Sequence, residues 1–455
     1  MSYSNTSLIS SRTASVFLVG GLFIILILGL FTGESMLLSA VLIFGLILAI
    51  IFLYNPKWGI FLILLVRSSI DKFSEQFTIN FGENLNYNAA AVFGILVVFL
   101  LSLYLIKNKR EIRDLPIKKL WLLFLGISLL SIVISIDKTS SAYGIIKIIS
   151  IFLIFSSVYV IVKRENNPNT VLYAIIFSSL VPFLFATYQL ITGSGLGGTE
   201  GVESRLFGTF SHPNPFASFV LITLSITLFL MLKAKDHQKK WLLGILFFWG
   251  IIILEQTYAR GAWLAFLIFL FIITFKKSPR VLLGIIIASV MLFFISTSIQ
   301  ERVQDIYNPP ADSSVRWRFE QWNRIYSAYV KKPLTGYGIG TETVVHENEF
   351  GPNAGNQYTH NDFLRIALET GIFGFLIYFM LLFFTFIKLF RSYIKEKNPY
   401  LKDFGLFALT LYIGLLSYSL TNNNLNETVT QWLMWGIIGA VFALYSANKE
   451  TKRDN

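Results

Sequence analysis

The sequence predicts an all-α, polytopic integral membrane protein with about 12–14 transmembrane helices and one large outer loop. Three observations carry that expectation. Hydrophobic residues make up 54% and charged residues only 14% of 455 positions, with mean hydropathy +0.63. A soluble chain of this length could not cover its surface with so few charges. Apolar runs of about 18 or more residues recur along the chain, and Lys and Arg gather in alternate connections between them. There is no cysteine, which excludes disulfides, thiol catalysis and cysteine metal sites. The formal charge of +12 reads as basic loops on the inner face of a membrane, not as a nucleic-acid footprint.

In chain order, the apolar runs place helices at about 14–31, 36–54, 57–70, 89–106, 119–136, 140–162 and 170–191. Further helices follow at about 214–232, 241–258, 262–275, 281–298, 362–387, 402–420 and 431–447. The first run is followed almost at once by a second and lacks a small-x-small cleavage site, so it reads as an uncleaved anchor. The third and tenth runs are short and suit tilted or half-inserted segments. Counting from an inside N-terminus, the inner connections carry the basic residues: Lys107 to Lys119, Lys163 and Arg164, Lys233 to Lys240, Lys276 to Arg280, Lys388 to Lys402, and the tail. The alternate connections at 71–88, 137–139, 192–213, near Arg260, 299–361 and 421–430 are poorer in Lys and Arg for their length. That asymmetry puts both termini in the cytoplasm.

The segment 299–361 is the one large piece outside the membrane. Val315, Phe319, Trp322, Tyr326 and Tyr329 recur at helical spacing and form a stripe, while Arg316, Glu320 and Arg324 share another face. Pro333, Gly336, Gly338 and Gly340 then stop the helix and force turns. The helix reads equally as a lid over the bundle mouth and as an interfacial raft whose aromatics dip into headgroups.

Three short stretches hold the groups able to do chemistry, all in outer connections. In R-L-F-G-T-F-S-H-P-N-P-F-A, from Arg205 to Ala217, Asn214 is placed to cap the next helix with Pro215 at its first position. A helix start beside Arg205 makes an anion seat; alone, the competing reading of a solvated arginine wins. Arg260 stands between two apolar runs with almost no loop. An arginine there faces a partner or a polar cavity, or snorkels to headgroups. Gly261 would let a ligand approach the backbone, and Glu255 is a candidate internal partner. At the next entrance stand His360, Asn361 and Asp362. Asn361 or Asp362 suits a cap, and Arg365 and Glu369 are spaced to pair four residues apart, with Glu369 about two turns down and sunk in the bundle. His360 is a candidate proton acceptor on the premise of an imidazole pKa near neutrality. Its competing role is to tie down the loop. His346, Glu347 and Glu349 match no zinc spacing, and no nucleotide-binding loop occurs.

Taken together and in this order, these stretches resemble the O-antigen ligase and O-antigen polymerase family. The motifs that carry the resemblance are R-L-F-G-T-F-x-x-P-N-x-F-A from Arg205, A-R-G-A-W around Arg260, P-L-T-G-Y-G-I-G from Pro333 and H-N-D-F-L-R-I-A-L-E-T-G from His360. The resemblance covers roughly 200–385. It implies a GT-C-like fold divided into N-terminal transmembrane helices over 1–199, a ligase-like core over 200–385 that includes the loop 299–361, and C-terminal helices with a cytoplasmic tail over 386–455. It also implies a membrane glycosyltransferase of a bacterial cytoplasmic membrane, with its site facing outward. The donor would be an undecaprenyl-diphosphate glycan, and the acceptor a glycan, lipid or protein. No cofactor, metal or nucleic acid is implied; membrane lipids and other envelope polysaccharide assembly proteins are the expected neighbours.

By the same resemblance Arg205 and Arg260 would hold the donor diphosphate, with Arg316, Arg318 and Arg324 as further phosphate ligands. His360 would act at the acceptor or leaving group, with Asn214, Asn361 and Glu369 in support. The residues suit that chemistry on their own account, because fixed guanidiniums in a water-poor cleft stabilise a departing diphosphate. No carboxylate pair stands out for glycoside hydrolysis. The competing class is a transporter or flippase of lipid-linked glycan. That reading expects several mid-bilayer carboxylates or broken helices in an inverted repeat.

Overall fold

In a computed structural model, the chain is described over residues 36–74, 78–80, 86–197, 204–278, 314–351 and 358–454, with Leu8, Ser10, Thr13, Arg280, Leu283, Phe294 and Gln300 besides. Apart from those single residues, the expected helices 14–31 and 281–298 and the segment 299–313 lie outside the described residues. Each of the other twelve expected helices is present.

Their bounds are α1 Met36–Tyr54, α2 Pro56–Ser74, α3 Ala89–Lys107, α4 Lys118–Ser131 and α5 Lys138–Glu165. Next come α6 Asn169–Ser178, α7 Leu180–Thr192, α8 Pro213–Lys233, α9 His237–Gln256 and α10 Arg260–Lys277. The remainder are α11 Ser314–Lys331, α12 Glu342–Phe350, α13 Asp362–Lys395, α14 Pro399–Ser419 and α15 Thr428–Asp454. Two minimal antiparallel pairs sit in connections: Thr78–Asn80 (β1) with Asn86–Asn88 (β2), and Leu196–Gly197 (β3) with Ser204–Arg205 (β4). Among the described residues, eight helices are long and apolar enough to cross a membrane.

The helix ends follow local chemistry. Asp137, Asp236 and Asn398 cap α5, α9 and α14 through side-chain oxygens that accept from the first-turn N–H groups. The run expected as one helix over 170–191 is instead two, α6 and α7, meeting at Ser179. Pro182 lacks an N–H and would crowd the carbonyl of Ser178. That carbonyl instead accepts from the Ser68 hydroxyl at 2.8 Å.

A second break falls inside α13. Gly371 has φ 64° and ψ −173°, a conformation that is essentially glycine-only. A Cβ built there would lie 2.2 Å from the Leu334 carbonyl oxygen. The groups released by the break bond to the loop after α11. Ile372 N–H donates to Pro333 O at 2.8 Å, and Tyr337 and Gly338 N–H donate to Leu368 O and Glu369 O at 3.1 and 2.8 Å. Sequence alone would let Gly371 serve close helix packing. It is in addition the point where the helix opens to receive the loop.

At the centre, α5 packs along α15. Trp121 meets Trp435 edge to face at 4.7 Å, and Trp435 meets Phe155 at 5.5 Å. Trp432 Nε1 donates to the Ser150 hydroxyl at 2.8 Å, which satisfies a buried donor. Away from this core, large apolar side chains such as Leu130, Ile191, Trp241 and Phe248 are exposed, as expected of helices whose outer faces meet lipid. One end of the bundle carries the ion pairs Lys57–Glu165, Arg164–Glu111 and Asp403 between Lys233 and Lys277. The other end carries the cavity.

Candidate active site

A cavity of about 780 Å³ opens among the helices. Its walls come from the connections that sequence reading placed on the outer side and from the helix turns beside them. Arg67 and Asp71 are at the end of α2, Lys147 on α5, and His212 and Asn214 at the start of α8. Glu342, Tyr358, His360, Arg365 and Glu369 come from the α12–α13 region, Asn422, Asn423, Asn426 and Glu427 precede α15, and Thr428 opens it. Arg365 Nε lies 3.0 Å from Glu369 Oε1 and 3.4 Å from Glu342 Oε2, all three buried. Glu342 also accepts from Thr359 N–H. Burial raises its pKa against the opposing pull of Arg365. The Asp362 carboxylate accepts from Leu425 N–H at 3.1 and 3.0 Å, tying the start of α13 to the loop before α15. Asn361 caps α13 by accepting from Phe363 and Leu364 N–H. The expected Arg365–Glu369 pairing and the burial of Glu369 are both present.

A guanidinium cluster adjoins the cavity. Arg205, on β4, donates from Nε to Thr257 O at 2.9 Å and from a terminal nitrogen to Asn214 Oδ1 at 3.1 Å. Leu206 N–H donates to Gln256 O at 3.0 Å, so the strand is laced to the turn that leads into Arg260, first residue of α10. That turn is strained, with Tyr258 at φ 52°, and His360 at φ 49° is a second such residue. His360 meets the Trp317 ring edge to face at 5.4 Å. Burial, the Arg318 charge and His212 together push its pKa down to about 4. Burial and Arg205 push His212 down to about 4 as well. Both imidazoles are therefore neutral at pH 7, flanked by Arg205 and Arg318. Arg205, Asn214, Arg318 and His360 are brought together, and the turn of Arg260 lies alongside them.

Several expectations are corrected. Asn214 does not cap α8: His212 does, its Nδ1 accepting from Asn214 N–H at 3.2 Å with Pro213 at the first helical position. The Asn214 side chain serves Arg205 instead. Gly261 gives room to Tyr418 and Thr421, whose atoms would lie 2.7 and 2.8 Å from a Cβ there, and not to a ligand. Glu255 is exposed and accepts from the Gln256 side chain at 2.5 Å. Arg316 pairs with Glu320 at 3.2 Å on the exposed face of α11, and Arg324 lies 5.9 Å over the Phe350 ring; like Arg205, Arg260 and Arg318, they lie outside the cavity wall itself. The aromatic stripe of α11 is not its buried face. Phe319 and Tyr326 are more than half exposed, while Gln321, Ile325 and Ala328 are buried, because α11 packs through Ile325 and Ala328 against Tyr337, Val345 and Leu368. His346 bonds Gln321 at 2.8 Å, and Glu349 pairs with Lys331.

Residues 243–379 match the family described as O-antigen ligase. That segment, less than a third of the chain, resembles an O-antigen ligase domain. A ComP-specific O-oligosaccharyltransferase of Acinetobacter baylyi is 26% identical over 234 residues, 48% of this chain and 42% of that protein. A putative polysaccharide ligase of Rickettsia bellii is 22% identical over 343 residues, 71% of this chain and 78% of that protein. A putative polysaccharide ligase of Rickettsia conorii is 25% identical over 131 residues, 27% of this chain and 29% of that protein. Against the Acinetobacter and Rickettsia conorii relatives, the match spans less than half of each relative's own length.

The segment that resembles O-antigen ligases supplies Arg260, Arg318, Glu342, His360, Arg365 and Glu369. The other half of the site, Arg67, Asp71, Lys147, Arg205, His212 and Glu427, lies outside the matched segment. Sequence reading passed over Arg67, Asp71, Lys147, His212 and Glu427. Three of these left a signal: Arg67 and Asp71 sit four apart at the end of an apolar run, and Lys147 interrupts one, where an ionisable residue marks a functional site by default.

Proposed function

We propose that this protein transfers a glycan from an undecaprenyl-diphosphate donor to an acceptor sugar or lipid at the outer face of a bacterial cytoplasmic membrane, with inversion at the anomeric carbon. The observation that carries the reading is the pair of neutral, half-buried histidines set between Arg205 and Arg318 at the cavity, with the Arg260 turn beside them. Guanidiniums from separate parts of the chain grip a diphosphate bidentately and neutralise the charge that develops as it leaves. The acceptor hydroxyl attacks the anomeric carbon opposite the departing diphosphate. His360, uncharged at neutral pH, hydrogen-bonds the acceptor or the leaving oxygen. The Lys- and Arg-rich connections lie at the opposite end from the cavity, which supports an outward-facing site and cytoplasmic termini. The names of the relatives, all ligases or oligosaccharyltransferases, favour transfer of one preassembled block over stepwise polymerisation.

Reconstitution with a polyprenyl-diphosphate glycan and an acceptor tests this. Arg205→Ala and Arg260→Ala are expected to lose about 100-fold or more in rate, while Arg316→Ala stays near the parent. Arg260→Lys is expected to lose much of the activity, since an ammonium does not fork onto a diphosphate; a normal rate for it refutes the bidentate role. Product that grows in length, instead of shifting by one block, refutes ligation. Single cysteines at 205, 260 and 360 in this cysteine-free chain should react with a membrane-impermeant reagent in spheroplasts, and one at 237 should not.

A further inference from the structure

Four carboxylates line the cavity: Asp71, Glu342, Glu369 and Glu427. Three are committed. Asp71 pairs with Arg67 at 2.5 Å. Glu369 and Glu342 share Arg365, and accept in addition from Glu342 N–H and Thr359 N–H respectively. Among the described residues Glu427 makes no side-chain hydrogen bond or ion pair, and it is only half-buried, open to the cavity. The cations sort the same way. Arg67 and Arg365 are paired, whereas Lys147 is exposed to the cavity and has no side-chain partner among the described residues. Lys147 stands nine residues into α5, about 14 Å along the helix at 1.5 Å per residue. An uncompensated ammonium at that depth is costly, and Glu427 is an uncommitted anion whose charge it feels.

We propose that Glu427 is the base that takes the proton from the acceptor hydroxyl, and that Lys147 is a positioning residue that favours its charged form. The inference rests on the transfer reading above and names a group that the reading leaves open. Burial and the Arg318 charge make His360 a poorer proton acceptor than an ordinary imidazole. Burial, with Asp71 adding and Lys147 and Arg67 opposing, sets Glu427 at about 8; Asp362 adds a little more. Tyr358 and Tyr418 also sense its charge. A base with that affinity for a proton suits abstraction near neutrality. In the step, the acceptor oxygen forms its bond to the anomeric carbon and its proton passes to a Glu427 oxygen. The bond from that carbon to the diphosphate breaks, and its electron pair stays on the diphosphate. Glu427 then returns the proton to water in the cavity.

The test is single-turnover transfer by the full-length protein in liposomes, with polyprenyl-diphosphate glycan as donor, from pH 6 to 9.5. The parent rate should rise with pH, reach half its plateau near 8 and level off roughly one pH unit higher, because the deprotonated carboxylate is the active form. Glu427→Gln should lose about 100-fold or more at every pH while binding donor as the parent does. Lys147→Met should move the rise to higher pH, and Lys147→Arg should leave it in place. A Glu427→Gln rate within twofold of the parent overturns the proposal, as does equal loss of donor binding and transfer, which marks a structural role. An unmoved profile in Lys147→Met removes Lys147 from it. If the parent transfers nothing, the transfer reading itself falls; if the parent transfers, Arg205→Ala is dead and Glu427→Gln is active, only this inference falls.

Discussion

The two ends of the bundle use the same charged residues in opposite ways. At the basic end, Lys57–Glu165, Lys233–Asp403 and Lys277–Asp403 are ion pairs with side chains roughly a fifth to two-fifths exposed. Water does most of the work of stabilising those charges, and each pair adds little. At the cavity end, Arg365, Glu342 and Glu369 are almost wholly shut away from solvent. There each charge depends on its neighbours, since desolvation costs several kcal/mol per ion and is offset only by well-placed partners. The lesson is that one end keeps its charges in water and the other keeps them by their neighbours. Residue type does not separate them; depth and company do.

That contrast is breakable by experiment. The largest effect is expected from Arg365→Met, which leaves Glu342 and Glu369 facing each other without a cation. It should cost about 3–5 kcal/mol, read as a fall in unfolding temperature in detergent. A drop no larger than that of a surface variant would show that the cavity end is as well solvated as the basic end. Next comes Gly371→Ala, which forces a side chain into a glycine-only conformation against the Leu334 carbonyl. It should cost about 2–3 kcal/mol and loosen the loop after α11, visible as faster proteolysis near 333–340.

A smaller effect is expected from acid. His212 and His360 are each held down to about 4 in the folded protein, against about 6.5 when unfolded. Between those values the unfolded chain binds more protons, so stability is full above pH 6.5 and is lost as pH falls toward 4. Each histidine accounts for on the order of 2 kcal/mol of that loss. His360→Asn should flatten the decline by about half in a pH series of unfolding midpoints, and an unchanged slope would place the ring in solvent. The smallest effect is expected from Lys233→Ala, below about 1 kcal/mol by the same unfolding measurement.

Much of this was legible in the chain and some was not. The long helices follow from apolar runs, and α5, α8 and α14 begin within two or three residues of the expected positions because runs and caps agree there. The Arg365–Glu369 pair was visible as a four-residue spacing. Lys147 was missed because one ammonium in a 28-residue apolar helix is averaged away by hydropathy, although it is the costliest residue in that helix to place in a membrane. The packing face of α11 was left open between a lid and a raft because its aromatic stripe suits both. The chain instead buries Gln321, Ile325 and Ala328, which fit the close approach to α12 and α13, and leaves Phe319 and Tyr326 outside.

The sequence by itself determined which segments are helical and apolar and the alternation of basic and less basic connections, because these depend on composition and spacing along a single chain. It also marked the motifs by which the chain resembles O-antigen ligases. Only the tertiary structure decided which charges meet: that Arg205 reaches the carbonyl before Arg260, that Gly371 opens α13 to the 333–338 loop, and that Glu427 and Lys147 face one cavity uncommitted. Such meetings depend on the rotation and depth of each helix against its neighbours, which packing sets and no single run of residues encodes.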